Sequence, residues 1–193
     1  MSHIRSDSTK PELLLRHALW HSGFRFRLYD NKLPGKPDIV LPKYHTVVFV
    51  HGCFWHGHKG CGSSHIPKSN TEYWVSKIYR NQMRDQEVWR QLEAKGWYVI
   101  IVWECQLKQS VLDETVKRVA AEIHQNGEVF RRAMEDRRKS REAYRQERRS
   151  MKEREASLMA ELKCWKPPIY HRGNHIIYLF SPYTVPQFSL PDR

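Results

Sequence analysis

The segment TVVFVHGCFWHGHKGC, at residues 46–61, joins an unbroken apolar run to a cluster of cysteines and histidines. An apolar run without alternation is typical of a strand that is buried on both faces in the centre of a sheet. The run WYVIIVWE, at residues 97–104, has the same character, and FRFRLY (24–29) and DIVLP (38–42) predict further strands. We therefore expect two central strands, with the Cys/His cluster at the end of the first.

Helical patterns lie on both sides of these strands. A Thr-Lys-Pro-Glu capping box opens an apolar stripe over residues 9–22, with proline tolerated in the first turn. Residues 71–95 carry a second stripe, which Gly96 ends. Helix, strands, helix and strand in one unit predict an α/β core over about residues 9–124.

The charge indicates a polyanionic partner. The net charge is +12, and neutralising phosphates releases counterions, so nucleic acid is favoured over a solvated basic protein or an anionic membrane surface. No apolar run is long enough to cross a bilayer, and residues 1–12 lack the apolar region of a secretory signal. A cytoplasmic, nucleoid-associated protein is expected.

The composition changes in the last third of the chain. Residues 131–156 hold eleven Lys or Arg against six Asp or Glu, which predicts a long charged helix. We expect a core domain at residues 1–124, and a basic helical extension with a short aromatic and proline-rich tail at 125–193. HIIYLF, at 175–180, could form one strand. The helix could contact DNA backbone or a protein partner, or it could simply be solvated.

The cysteine spacing predicts a structural zinc site. Cys53 and Cys61 enclose two histidines, and tetrahedral zinc takes four nitrogen or sulfur ligands. Cys105 follows the second buried strand and is the natural fourth ligand, whereas Cys164 lies in the extension. The spacing leaves open whether His56 or His58 is the ligand, so one of them remains available for chemistry.

Candidates for catalysis lie where the predicted strands begin and end. Pro37-Asp38 precedes a strand and the next strand ends at Val50-His51, as in nucleases of the PD-(D/E)xK class that hold Mg²⁺. The usual second acid and lysine are missing, but a backbone carbonyl can ligate a hard cation and a histidine can act as a base. Pro-Asp alone is more often a turn.

Asp85 interrupts the apolar face of the second predicted helix. Positions 78, 81, 85, 88 and 92 share that face, and three of them are apolar. A carboxylate there needs a partner, because unpaired burial is costly. A histidine would suit it, and the alternative is a surface pair with Arg84 or Lys77.

Four blocks of sequence resemble, in order and spacing, the very short patch repair (Vsr) endonucleases. The resemblance covers residues 4–107 and implies a three-layer restriction-endonuclease-like core, with a mixed central sheet flanked by helices. The blocks are LPGKPDIVLP (33–42), VVFVHGCFWHGHKGC (47–61), TEYWVSKI with NQMRD (71–78 and 81–85) and GWYVIIVWEC (96–105).

The resemblance also implies an activity, namely Mg²⁺-dependent nicking of the mispaired T strand at T·G mismatches in double-stranded DNA. Asp38 would ligate Mg²⁺ with the carbonyl of Val50. The other implied site residues are His51, His56, Asp85 and Glu12 for catalysis, Cys53, His58, Cys61 and Cys105 for zinc, and Phe54, Trp55 and Trp74 as an aromatic wedge that enters the base stack.

Two other functions are compatible with the sequence. One is a restriction or mobile-element defence nuclease whose extension selects a different target. The other is a zinc-stabilised DNA-binding protein without catalysis, although binding alone requires none of Asp38, His51 and His56. The sequence does not decide the recognition sequence or the oligomeric state.

Overall fold

A computed structural model describes residues 8–164, 170–172 and 175–177, and within these residues the chain forms three α-helices and five strands. None of these helices is both long and apolar enough to cross a membrane. In chain order the elements are α1 (Lys10–His21), β1 (Ile39–Leu41), β2 (Thr46–His51), α2 (Thr71–Ala94), β3 (Tyr98–Trp103), α3 (Leu112–Cys164), β4 (Tyr170–Arg172) and β5 (His175–Ile177).

The central sheet has the order β1-β2-β3 and is mixed. Strand β1 is antiparallel to β2, with Ile39 opposite Val48, and β3 is parallel to β2, with Ile100 opposite Val48. The parallel pair consists of the two unbroken apolar runs, as the sequence predicts. Because both strands start at the same end of the sheet, their carboxyl ends at His51 and Trp103 lie side by side.

Helices cover both faces of this sheet and make three layers. On one face, Ile39, Val48 and Ile100 pack with residues of α1 and α3, among them Leu15 and Val119. The opposite face packs against α2, through Val40, Val47, Phe49 and Leu92. The predicted α/β core with a mixed sheet between helices is confirmed.

The prediction of a strand at residues 24–29 is wrong. Only one bridge forms, where the backbones of Arg27 and Val40 exchange two hydrogen bonds of 2.8 and 2.9 Å. The chain then leaves the extended conformation, because Tyr29 adopts a positive φ of 49°. That turn directs the tyrosine towards α1, where its hydroxyl bonds Glu12.

The long helix α3 belongs to two units of the chain, residues 1–139 and 140–193. Its residues 131–164 are all exposed, which fits the long charged helix expected there. In the second unit, β5 confirms part of the strand expected at 175–180 and pairs with β4, whereas residues 178–180 lie outside the described part of the chain. The domain boundary expected at residue 124 stays a prediction.

Gly127 is buried in α3 against Tyr44, and we expect Gly127→Ala to destabilise the protein. A Cβ at this position would lie 2.6 Å from Tyr44 Cδ1, which is too close for two carbons. Overpacking costs about 1–3 kcal/mol, which exceeds the gain of about 1 kcal/mol in helix propensity. The temperature of thermal unfolding should fall by a few degrees, whereas replacement of the exposed Gln125 by Ala should leave that temperature unchanged. An unfolding temperature equal to or above that of the wild type would show that Tyr44 moves aside at no cost.

Candidate active site and metal cluster

The carboxylate of Asp38 and the end of β2 meet in one cleft of about 820 Å³. The backbone N–H of Val50 donates to Asp38 Oδ2 at 2.7 Å. Within a strand the N–H and C=O of one residue point to the same side, so the Val50 carbonyl also faces the side of Asp38. His51 follows, with 4% of its surface exposed. The structure thus brings together the three residues that the sequence places at strand ends.

A second histidine completes this group from the loop after β2. His56 Nδ1 lies 2.5 Å from Asp85 Oδ2, and the rings of His51 and His56 stack with their centroids 3.8 Å apart. The carboxylate on the apolar face of α2 therefore has a histidine partner, as expected. The surface alternative does not form, because Arg84 donates to the Asn81 side chain instead.

Two amide side chains of α2 hold the backbone of this loop. Asn81 Nδ2 donates to the carbonyl of Trp55 at 2.9 Å, and Gln82 Nε2 donates to the carbonyl of His56 at 3.1 Å. Asn81 interrupts the apolar stripe and could have been singled out on that ground. Gln82 lies off the stripe, and no pattern in the sequence indicated its role.

Burial controls the protonation of the two groups deepest in the cleft. Desolvation raises the pKa of Asp38 to about 6, against the lowering effect of the Val50 N–H. Desolvation also lowers the pKa of His51 to about 4, helped by the neighbouring His56. Nδ1 of His51 is buried without a hydrogen-bond partner among the described residues. His51 is therefore neutral near pH 7, and a neutral imidazole can accept a proton.

Glu12 reaches the same cleft from α1. Its carboxylate accepts hydrogen bonds from the Ser8 N–H, Arg16 Nη2 and the Tyr29 hydroxyl at 3.1, 2.7 and 2.8 Å. The predicted capping box is wrong in detail, because the Thr9 hydroxyl donates to Glu12 and caps no backbone N–H. The buried Arg16 guanidinium and the tyrosine draw the carboxylate away from the box geometry.

Four side chains on the other side of the loop form a cluster that can hold a metal ion. Ligand atoms of Cys53, His58, Cys61 and Cys105 all lie within 4.8 Å of one another. His58 Nδ1 is 3.5 and 3.4 Å from the Cys53 and Cys105 sulfurs, and its ring stacks on Trp103. The structure thus places His58 in the cluster with the three cysteines, whereas His56 faces Asp85.

The chemistry of these four residues fits a metal ion. Desolvation raises the pKa of Cys53 to about 12, so without a cation its sulfur stays a thiol. A bound metal stabilises thiolates, and four nitrogen and sulfur donors in one shell are the ligand set of closed structural sites. Cys164, the remaining cysteine, is exposed and is not part of the cluster.

The aromatic residues of the loop form one group with those at the start of α2. The ring centroids of Phe54, Trp55 and Trp74 lie 5.2 to 6.0 Å apart, and Trp55 is 37% exposed. Tyr73 stacks edge-on against Trp74, and the Lys77 ammonium lies 5.4 to 5.8 Å from three of these rings. The sequence had not indicated that Tyr73 and Lys77 belong to this group.

Comparison with known proteins identifies the family to which this chain is similar. The family model described as DNA mismatch endonuclease Vsr matches residues 1–62. Type II nicking enzyme V.NmeAIP of Neisseria meningitidis serogroup A / serotype 4A is 52% identical over 124 residues, 64% of this chain and 88% of that enzyme. Type II nicking enzyme V.XorIIP of Xanthomonas oryzae pv. oryzae is 50% identical over 107 residues, 55% of this chain and 78% of that enzyme.

A relative that carries the family's own name matches over a similar length. DNA mismatch endonuclease Vsr of Escherichia coli (strain K12) is 41% identical over 118 residues, 60% of this chain and 75% of that protein. The family resemblance of the four sequence blocks is thereby confirmed. With most of each relative's length matched at this identity, the chain belongs to the Vsr family and is a DNA endonuclease.

Proposed function

We propose that this protein cuts one strand of double-stranded DNA at T·G mismatches, as a Mg²⁺-dependent enzyme of very short patch repair. The observation that carries the proposal is the meeting of Asp38, His51 and the His56–Asp85 pair in one cleft. The names of the relatives, a mismatch endonuclease and nicking enzymes, support the choice of target and of single-strand cleavage.

The oxygen atoms beside the end of β2 would hold the magnesium ion. The Asp38 carboxylate and the Val50 carbonyl are hard ligands of the kind that Mg²⁺ takes, and Glu12 supports the site from α1. When bound, the ion offsets charge on the scissile phosphate and favours ionisation of the attacking water. Lys36 and Arg84 also line the cleft, where their cations can attract the DNA phosphates.

The two histidines would move the protons. Asp85 bonds Nδ1 of His56 and so orients the ring, as the carboxylate does in a hydrolase triad, and His56 can take the proton of the attacking water. His51 is stacked on it and neutral, which lets it hydrogen-bond the reacting phosphate or water. On His56, the ring nitrogen that does not bond Asp85 is the one available to take the proton of the attacking water.

Zinc is the metal that we propose for the cluster of Cys53, His58, Cys61 and Cys105. Three thiolates and one imidazole, with no position left open, are typical of structural zinc. The cluster joins both ends of the loop to the segment after β3 and thereby holds His56 in place against α2. In this proposal zinc is scaffold and magnesium is catalytic.

The aromatic group would act as the wedge at the mismatch. Side chains that enter a base stack must unstack the step, and a mismatched step costs less to open. We expect Trp55→Ala to reduce the preference for T·G over T·A duplexes by roughly tenfold, since one base–aromatic contact contributes about 1–3 kcal/mol. Binding competition between the two duplexes measures this. Trp20, 51% exposed on α1, is the matched control, and equal losses in both variants would exclude the wedge.

Acid is expected to slow cleavage through Asp38. Because burial raises the pKa of Asp38 to about 6 and lowers the pKa of His51 to about 4, the aspartate is the first of the two to gain a proton as the pH falls. A protonated carboxyl does not ligate Mg²⁺, so at low Mg²⁺ the rate should fall about tenfold per pH unit below pH 6 and level off above it. Raising the Mg²⁺ concentration should move this fall in rate to lower pH. If the pH at which the rate falls did not change with Mg²⁺, a group other than Asp38 would be responsible for the fall.

The target is tested with three matched duplexes that carry T·G, T·A or C·G at one position. Each strand is labelled in turn, and the single-turnover rate is measured with Mg²⁺. We expect cleavage of the T strand of the T·G duplex only. Equal cleavage of the T·A duplex would favour the defence nuclease, and tight binding without any cleavage would favour the non-catalytic DNA-binding protein.

A further inference from the structure

Four cations of α3 lie in one row on its surface. Arg141, Arg145, Arg148 and Lys152 are spaced i, i+4, i+7 and i+11. At 100° and 1.5 Å per residue, this spacing confines them to an arc of about 60° and a length of roughly 16 Å. We call these four residues the basic stripe, and all of them belong to the unit of residues 140–193.

The surroundings of the stripe differ from those of an ordinary solvated charged helix. Such helices alternate signs along a face, so that each cation has an acid three or four residues away. Arg141 and Arg148 have no acid at these spacings, whereas Arg145 and Lys152 have one each, namely Glu142 and Glu155. On the helix surface Glu142, Glu147 and Glu153 lie about 90° or more from the centre of the stripe, and Glu155 lies beyond its end. All four cations are exposed, and none is paired with a carboxylate of the described residues.

A row of like charges on a helix is unfavourable unless a polyanion lies against it. Like-charge pairs at i, i+4 cost a few tenths of a kcal/mol each, and this repulsion is relieved when phosphates take the positions between the cations. Duplex DNA offers about one phosphate charge per 1.7 Å of its length, so a row of this length can meet several phosphates. The polyanion that a DNA endonuclease meets is its own substrate.

We infer that the basic stripe binds the phosphate backbone of duplex DNA without reading its sequence. Long flexible side chains of Arg and Lys position a protein on a duplex through phosphate contacts, which carry no base information. The stripe therefore adds affinity for any duplex, and its function is separate from recognition of the mismatch and from cleavage.

The test compares two variants of the full chain that lose the same charge. In one, the four stripe residues become Gln, and in the other the exposed lysines Lys43, Lys95, Lys108 and Lys117 become Gln, so that each has a net charge of 12 − 4 = +8. Binding to a fully paired duplex is measured by anisotropy without Mg²⁺, over a range of salt. Cleavage is not involved, so the result is independent of the proposed function.

The salt dependence separates the outcomes. Each phosphate contact contributes about 0.9 to the slope of log K against log salt, so the loss of four contacts in the stripe variant should lower the magnitude of the slope by about 3.6 and the affinity at least tenfold. The lysine variant should lower the magnitude of the slope by less than about 1. Equal slopes in both variants would show that the stripe acts only through the net charge of the protein, and would overturn the inference.

Two further measurements keep the inference falsifiable. Arg141, Arg145 and Arg148 changed together to Lys should retain the wild-type slope, because phosphate contacts need charge and not the guanidinium fork. Tyr144, Met151 and Leu158 lie beside the stripe at intervals of seven residues, which would suit a second copy of α3. If the Gln variant kept the wild-type salt slope but had a lower mass than the wild type in sedimentation velocity, this face of α3 would bind a second copy of the chain and not DNA.

Discussion

Replacement of Asp38 by asparagine is expected to reduce the rate of DNA cleavage by roughly 10³-fold or more, since a bound metal contributes several kcal/mol to the transition state. Asparagine has nearly the same shape, and its amide oxygen can still accept the hydrogen bond from the Val50 N–H. The charge that would hold Mg²⁺ is lost, while the fold of the cleft is kept. The affinity for duplex DNA measured without Mg²⁺ should therefore remain at its wild-type value.

Asp113 provides the matched control for this experiment. It is an exposed aspartate in the first turn of α3 and is not among the residues that line the cleft. Asp113→Asn removes the same charge and should leave the single-turnover rate unchanged. If Asp38→Asn cleaved DNA at the wild-type rate, the metal would be held elsewhere and the assignment of the cleft would be wrong.

Replacement of Cys105 by serine is expected to cause the largest loss of stability. A closed metal site contributes directly to folding, and losing one of its four ligands should lower the free energy of unfolding by about 3 kcal/mol or more. For a chain of this size that corresponds to a fall of about 10 °C in the unfolding temperature. Zinc analysis should find about one ion in the wild type and much less in the variant.

Cys164 supplies the control, because it is an exposed cysteine that takes no part in the cluster. Cys164→Ser should bind zinc and unfold like the wild type. A chelator should destabilise the wild type and the Cys164 variant but have little further effect on Cys105→Ser. Wild-type protein that is folded, active and free of zinc would refute the metal assignment of the cluster.

Both sites depend on one loop, and this connects structure to catalysis. Cys53, His58 and Cys61 lie on one side of the loop, in the cluster that can hold a metal ion, and His56 lies on the other side against Asp85. Gln82 fixes the backbone between them. We therefore expect damage to the cluster to lower the cleavage rate through His56, although none of the four cluster residues lines the cleft.

The sequence predicted the features that one local signal controls. The strands β2 and β3 follow from unbroken apolar runs, and the position of Asp85 follows from a polar break in a helical stripe. Spacing alone could not choose between His56 and His58. Only the three-dimensional arrangement, in which one ring faces Asp85 and the other the sulfurs, makes that choice.

Other features escaped prediction because they depend on distant partners. Residues 24–29 alternate like a strand, but the ladder stops at one bridge because Tyr29 turns towards Glu12. The capping box fails partly for the same reason, since the carboxylate of Glu12 accepts hydrogen bonds from the distant Tyr29 as well as from Arg16, one helical turn away. The contact between Tyr29 and Glu12 joins residues 17 positions apart along the chain, and no local pattern indicates it.

The most direct test of the central claim is single-turnover cleavage of a duplex with one T·G mismatch, with both strands labelled differently. We expect that one strand is cut and the other stays intact, that cutting begins only when Mg²⁺ is added, and that Asp38→Asn does not cut. Cleavage of both strands, or cleavage at the same rate without a divalent cation, would contradict it.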